Sequence, residues 1–520
     1  MMFSGFESHA PLLPEILALH GRWRGERDAL VCEGQRLSWR EFCAANHRFA
    51  HALHGAGIGR GERVGVVMSN GVEMAVTLFG CMAAGAVSVP INLSVADEAI
   101  AAMLADAGVR ALVVSADQQP RLHALRHRLG PSITLLVTTG TAAGDWQCFR
   151  QFCDGQPEGL PDSGLQGTDF LNIIYSSGTT GMPKGIVHTH AGRRDWAYDL
   201  AIALRYHGAA RTLLTIGLYS NISWVAMLCT VLGGGTLVIH PRFDTDAFLD
   251  TVAAERITHT AMVPIQFQRV VEAMGQREHD VSSLQAMMSC GSPLHERLKR
   301  SIFQAFPCGI IELYGLTEGI ITTLDTEDAE GRWSSVGKPL LGTDICIVDE
   351  GGRKLGPGES GEVVSRGRIT MPGYLGRDEA SREAEYIDDN GVQWLRSGDI
   401  GMVDEAGFLY IVDRKKDMIL SGGQNVYPQD IEAVLVEHPA VDDVAVIGAT
   451  SQRWGETPVA LVVAVSGGAD AGAIRAWANE RLGKQQRLSD VILVDELPRN
   501  PNGKILKREL RRTFAELSYA

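Results

Sequence analysis

The sequence predicts an α/β protein: a large N-terminal domain of layered α/β sheets with a small β-barrel, followed by a small α+β C-terminal domain. Three observations predict it. Over roughly the first four hundred residues, short β-branched runs alternate with Ala- and Leu-rich stretches of helix length, the pattern of layered, largely parallel sheets. In 336–367 strand-like runs are broken by glycine turns every several residues, as in a meander or small barrel. In roughly the last hundred residues an amphipathic run, PQDIEAVLVEH, precedes two apolar strand-like runs, VDDVAVIGA and PVALVVAV.

Taken in order, GERVGVVMSN (61–70), VRALVVSA (109–116) and SITLLVTT (132–139) read as strands. Between the first two, GVEMAVTLFGCMAAGAV (71–87) is apolar on most faces and reads as a buried helix. The stretch 138–167 is rich in turn residues and is expected to be an exposed loop. DFLNIIY (169–175) is a buried strand, and GIVHTHAG (185–192) continues after the loop that follows it. LLTIGLYSNISWVAML (213–228) runs from strand to helix, and MMSCGSPL (287–294) sets a Gly-Ser-Pro turn after a strand.

The bulk numbers bound the function. A chain of 520 residues is too long for one core. A net charge of −14 argues against a general nucleic-acid binder, which needs a basic face. Nine cysteines without a Cys-x-x-Cys pair or metal-ligand spacing suit a reducing cytoplasm. There is no apolar run of membrane-spanning length, no signal-peptide pattern and no prenylation box. A cytoplasmic protein without integral membrane association is therefore expected.

Chemistry gathers in YSSGTTGMPKG (175–185). Glycines 178, 181 and 185 let backbone N–H groups converge, Ser176, Ser177, Thr179 and Thr180 add neutral donors, and Lys184 adds a mobile charge. That combination suits a polyphosphate. It is not a Walker loop, because Lys184 is followed by glycine and the glycine spacing differs. His188 and His190 alternate on a strand with no third ligand near them, so a hydrogen-bonding role outweighs a metal site. In IIELYGLTEG (310–319) Tyr314 offers a flat face for a purine, Gly315 permits close backbone approach, and Thr317 has a hydroxyl for a phosphate oxygen. Glu318 is suited to a hard cation bridging phosphates. Asp399, in Ser-Gly-Asp, is suited to two ribose hydroxyls, and Arg414 to the ribose or α-phosphate. A capping turn is the plainer reading of Asp399, and solvated surface charge that of the RKKD run. Lys504, after a Pro-Asn-Gly turn and before a basic run, would ordinarily be just an exposed lysine.

Together these segments resemble the adenylate-forming superfamily of acyl- and aryl-CoA synthetases, luciferases and peptide-synthetase adenylation domains. The resemblance implies a large AMP-binding domain over 1–414, with its β-rich part at about 336–414, and a mobile C-terminal domain over 415–520. It implies catalytic roles for Lys504, Glu318, Thr179 and Lys184, with magnesium on Glu318. ATP and AMP contacts would come from Ser176, Ser177, Gly178, Thr179, Thr180, Gly181, Lys184, Gly291, Ser292, Pro293, Glu312, Tyr314, Gly315, Thr317, Asp399, Arg414 and Lys504. Tyr219, Ser220, Asn221, Trp224, Cys290, Ile320 and Ile321 would line the acyl pocket, although Trp224 reads equally well as helix core. Ser220 stands where relatives often carry histidine, which leaves more room. Lys416 falls at the hinge, and Ser421, Gly422, Gly423 and Gln424 at the loop that guides CoA.

The implied reaction joins a carboxylate to ATP as acyl-AMP, releasing pyrophosphate, and then passes the acyl group to CoA. An aromatic or medium- to long-chain fatty acid is the expected substrate, and a monomer or homodimer the expected assembly. Loading of a separate carrier protein is the alternative; a nucleotide-binding scaffold without turnover is a third possibility, opposed by the retained Lys184, Glu318, Asp399, Arg414 and Lys504.

Overall fold

The computed structural model describes residues 10–175, 183–421, 424–465, 470–499 and 503–519. Among them, two large sheets form the N-terminal part. One has nine strands, in the spatial order Lys338–Pro339, Ile321–Leu324, Ile311–Gly315, Ala286–Ser289, His259–Met262, Arg211–Leu214, Thr236–Ile239, Asp28–Cys32, Gln35–Ser38. Its six interior strands, from Ile311–Gly315 to Asp28–Cys32, are parallel, and antiparallel strands close both ends. The other has seven strands, parallel except for the final hairpin partner Gly185–Thr189.

The layers follow from sequence. The helix Val72–Ala84 is apolar on nearly every face and is buried along its whole length apart from Glu73. A helix of that kind is stable only between two apolar surfaces. It packs against Trp39–Gly55, and Gly80 allows the close crossing: a Cβ there would lie 2.6 Å from the Phe49 ring. One continuous core joins Val64 and Val66 of the seven-stranded sheet to Leu30 and Leu237 of the nine-stranded one, through Phe79 and Trp224. Separate clusters around Ile100, Leu104 and Leu122, and around Phe248, Phe267 and Ile302, cover the outer faces. Burial of a side chain of this size contributes about 1.5–3 kcal/mol, which fixes the scaffold beneath the loops.

The segment 138–167 is less exposed than its composition predicts. Trp146 is buried, and in the helix Phe149–Cys153 the Phe149 ring stacks on Phe49 at 5.2 Å. Turn residues there interrupt an aromatic anchor. The glycine-rich region after 336 forms a five-stranded antiparallel sheet of Thr343–Val348, Gly361–Gly367, Glu385–Ile387, Gln393–Val403 and Leu409–Arg414. No ladder among the described residues joins its outer strands, so it is a half-barrel. The C-terminal part is a six-stranded sheet, led by the long pair Val441–Ser451 and Gly455–Ala464, packed with Pro428–Leu435 and Ala471–Arg481. No helix among the described residues is long and apolar enough to cross a membrane.

Candidate active site

The expected phosphate loop joins two antiparallel neighbours, Phe170–Tyr175 and Gly185–Thr189, paired from Tyr175 to Gly185. Its members Ser176, Ser177, Gly178, Thr179, Thr180 and Gly181 lie outside the described residues. Both ends are anchored. The Tyr175 hydroxyl donates to Asp106 at 2.7 Å, and Asp106 also accepts from Arg377 at 2.6 Å. The segment Gly373–Leu375 lies along the other end: Leu375 N–H donates to the Gly185 carbonyl and Tyr374 bridges to Ile186. This brings the Tyr374 ring under the Lys184 ammonium, 4.8 Å from its centroid. The same tyrosine donates its hydroxyl to Glu318 at 3.0 Å. Burial raises the Glu318 pKa, while Tyr374, Arg414 and Lys184 act in the opposite direction.

Glu318 sits in the turn between Ile311–Gly315 and Ile321–Leu324. Two glycines shape that turn. A Cβ on Gly315 would come within 2.5 Å of the Ile320 carbonyl, so glycine is needed here by the hairpin itself. Gly319 has φ +122, and a Cβ on it would lie 2.6 Å from Thr370 Cα. Gly319→Ala is expected to cost about 1–3 kcal/mol of stability. An unchanged unfolding midpoint in urea would contradict this.

His188 secures the turn from below. Its Nδ1 faces an Arg193 N–H donor at 3.2 Å and so acts as acceptor. Nε2 therefore carries the proton and donates to the Thr317 carbonyl at 2.9 Å. Burial and the Arg193 charge keep this imidazole neutral by pushing its pKa well down. His190 is wholly buried at the start of the next helix, and among the described residues no group of histidine, cysteine and carboxylate side chains has metal-site spacing.

Tyr314 donates its hydroxyl to Asp399 at 2.6 Å, and Arg414 Nε lies 3.3 Å from the other Asp399 oxygen. Strand register sets this geometry, because Asp399 and Arg414 are cross-strand partners in the half-barrel sheet. Asp399 is 3% exposed yet keeps a free lone pair on each oxygen beyond these contacts. Lys504 is half-buried within the field of Arg414 and Asp399; burial pulls its pKa down to about 7, with Arg414 acting the same way and Asp399 against it. Gly503 beside it packs on the N-terminal part: a Cβ there would lie 3.3 Å from Ile265 Cγ2.

Other expected residues divide. Ser220 caps the helix Asn221–Gly233, and Tyr219 is half-buried against Gly217. Asn221 accepts from Arg193 at 2.8 Å. Cys290, Ile320 and Ile321 are buried, and Gly291, Ser292 and Pro293 form the turn after Ala286–Ser289. Trp224 is 0% exposed with its indole N–H on the Leu218 carbonyl, which makes it core. Glu312 is buried in an ion pair with Lys299, whose ammonium also donates to the Trp333 carbonyl at 2.6 Å, so its carboxylate is directed to the scaffold. Lys416 is exposed just past the last half-barrel strand, in a turn closed by Asp417 N–H on the Arg414 carbonyl. Ser421 and Gln424 face each other across a hairpin of the C-terminal sheet, whose tip, Gly422 and Gly423, lies outside the described residues. His188, Arg193 and Tyr374 were not singled out for the site from sequence; only the alternation at His188 hinted at a buried polar role.

Tyr314, Asp399 and Arg414 thus form one group, with Lys504 in the field of the last two and Lys184 beside Glu318 through the Tyr374 ring. The chain belongs to the AMP-binding enzyme family: that family matches residues 19–375, and the AMP-binding enzyme C-terminal domain matches 430–504. Long-chain-fatty-acid–CoA ligase FadD13 of Mycobacterium tuberculosis is 35% identical over 484 residues, 92% of this chain and 93% of its own. Feruloyl-CoA synthase of Amycolatopsis sp is 34% identical over 487 residues, covering 92% and 94%. Among solved structures, o-succinylbenzoate CoA synthetase of Bacillus subtilis, in complex with its acyl-adenylate intermediate, superposes with TM-score 0.85 at 27% identity, covering 96% and 98%.

Proposed function

We propose that this protein is an AMP-forming carboxylate–CoA ligase acting on an aromatic or a medium- to long-chain fatty acid. The observation that carries the reading is convergence. Lys184, Glu318, the Tyr314–Asp399–Arg414 group and Lys504 come from four separate segments, yet Lys184 and Glu318 share Tyr374, Tyr314 and Arg414 share Asp399, and Lys504 lies in the field of Arg414 and Asp399.

A carboxylate is inert toward a thiol because its oxygen leaves poorly; as the acyl-AMP mixed anhydride it departs with AMP. Forming that anhydride sets a carboxylate anion against the α-phosphate, so positive charge must be in place beforehand. Lys504 supplies it between the acid and the α-phosphate, and Lys184, held over Tyr374, supplies it toward departing pyrophosphate. Tyr314 and Asp399 hold adenine and ribose, with Arg414 bridging to the phosphate side. Glu318 fits magnesium: it is a single oxygen-donor carboxylate with one oxygen oriented by Tyr374, and this ion is commonly held by one or two carboxylates with phosphates and water. Bound there, the ion would neutralise phosphate charge.

The second step needs a thiol path in place of Lys504. The Ser421–Gln424 hairpin pairs within the C-terminal sheet, through Leu420 N–H on Glu456 and Ser421 beside Gly455. One unit therefore carries both Lys504 and a small-residue hairpin, and a rotation near Lys416 would exchange them. The division at residues 414 and 415 rests on the same argument. Cys290, Ile320 and Ile321, expected to line the acyl pocket, are apolar and buried, which favours an apolar acyl group. Free thiols at all nine cysteines fit a reducing cytoplasm, and a monomer or homodimer is inferred.

A panel of carboxylic acids with ATP and magnesium tests the reading. Acid-dependent pyrophosphate release and CoA-dependent AMP release are expected. Absence of acid-dependent pyrophosphate would overturn it, and thioester formation only on a holo-carrier would move the acceptor to a carrier protein.

A further inference from the structure

Arg193 is 2% exposed, and among the described residues no carboxylate pairs with it. Its hydrogen-bond partners are all neutral: Nε donates to Asn172 at 3.3 Å, and Nη2 donates to His188 and to Asn221. The guanidinium lies against the Trp196 and Trp224 rings, 4.5 and 5.3 Å from their centroids. Nη1, with two N–H donors, has no acceptor among the described residues. Arg193 lines a small cleft with His188, Thr317, Thr370 and Met371, beside the turn that carries Glu318. Burying a guanidinium without an anion is costly. Asn221, its acceptor, belongs to the helix start expected to line the acyl pocket.

We propose that Arg193 is a specificity determinant that binds an oxygen acceptor on the acid, so that the substrate carries a carbonyl, hydroxyl or second carboxylate besides the carboxylate that is activated. This rests on the ligase reading above and narrows its substrate class. A pocket built to hydrogen-bond a substrate oxygen discriminates against the plain hydrocarbon, because its donors are then left unpaired. The apolar lining expected from Cys290, Ile320 and Ile321, together with this cation, would suit an oxygenated aromatic or fatty acid.

The test compares acids matched in length: cinnamate with 4-hydroxycinnamate and 4-carboxycinnamate, and hexanoate with 6-hydroxyhexanoate and adipate. The unmodified enzyme should favour an oxygenated member over its hydrocarbon by at least about tenfold in kcat/KM for pyrophosphate release. The hydroxyl and carboxylate arms identify which acceptor is taken. Arg193→Met should bring the ratio to within about twofold, and Arg193→Lys should restore part of it. A merely structural arginine would leave the ratio unchanged while all rates fall together. Equal or better turnover of the hydrocarbons by the unmodified enzyme would overturn the proposal, even if Arg193→Met fails to fold. Pyrophosphate release with none of the acids would overturn the ligase reading itself, and this proposal with it.

Discussion

Replacing Lys504 with alanine is expected to cut acyl-adenylate formation by about 10²–10³, the usual effect of losing one preorganised charge at the transition state. Thioester formation from preformed acyl-AMP and CoA should stay near its original rate, because the proposed rotation would carry the lysine away with its domain in the second step. The asymmetry is the diagnostic part. A lysine that merely supported the fold would lower both half-reactions, and equal losses would remove its assigned role. The pH response follows from its surroundings. Burial brings the Lys504 pKa to about 7, with Arg414 adding to the effect. Only the protonated amine carries the charge that the first step requires. kcat/KM for adenylation should therefore fall as pH rises through about 7, since that parameter reports the free enzyme. With ATP saturating, the phosphates favour the ammonium form, and kcat should hold to higher pH. A flat kcat/KM profile between pH 6 and about 9 would contradict this assignment.

Much of this site was legible because adenylate chemistry uses short, chemically dense segments. The strand 169–175 and its glycine, hydroxyl and lysine loop stand out by periodicity and composition, and Tyr314, Glu318 and Asp399 by the chemistry of their short segments, whereas Arg414 reads as surface charge until the resemblance is weighed. What could not be read depends on distant chain segments meeting. The His188 bond to Thr317 spans 129 positions, and the Tyr374 bond to Glu318 spans 56. Neither partner has a local motif. Glu312 and Trp224 illustrate the opposite difficulty. Both lie within suggestive segments, but only packing reveals that one pairs with Lys299 and the other fills the core. Arg193 likewise has no local signal, because it stands in a run of two arginines. Its neighbour Arg194 pairs with Asp195 at 2.8 Å; burial distinguishes the two, and local sequence does not.

Asp399→Ala should weaken AMP and ATP binding alike, by roughly 3 kcal/mol or about 10²-fold, the loss of two hydrogen bonds to a charged acceptor. Asp399 receives the Tyr314 hydroxyl on one oxygen and faces Arg414 from the other, and in the proposed reading its remaining lone pairs would take the ribose hydroxyls. Removing it leaves the tyrosine hydroxyl without its acceptor and frees the guanidinium, so Tyr314 and Arg414 loosen together. Ribose contacts persist unchanged from bound ATP to the adenylate, so they contribute uniform binding; KM for ATP should rise far more than kcat falls. Asp399→Asn keeps an acceptor for Tyr314 but lacks the charge, and an intermediate loss of about tenfold is expected. Calorimetric titration with AMP separates the cases. Affinity within twofold of the original in Asp399→Ala, or a fall in kcat alone, would show that this carboxylate serves the half-barrel turn and that the nucleotide is held elsewhere.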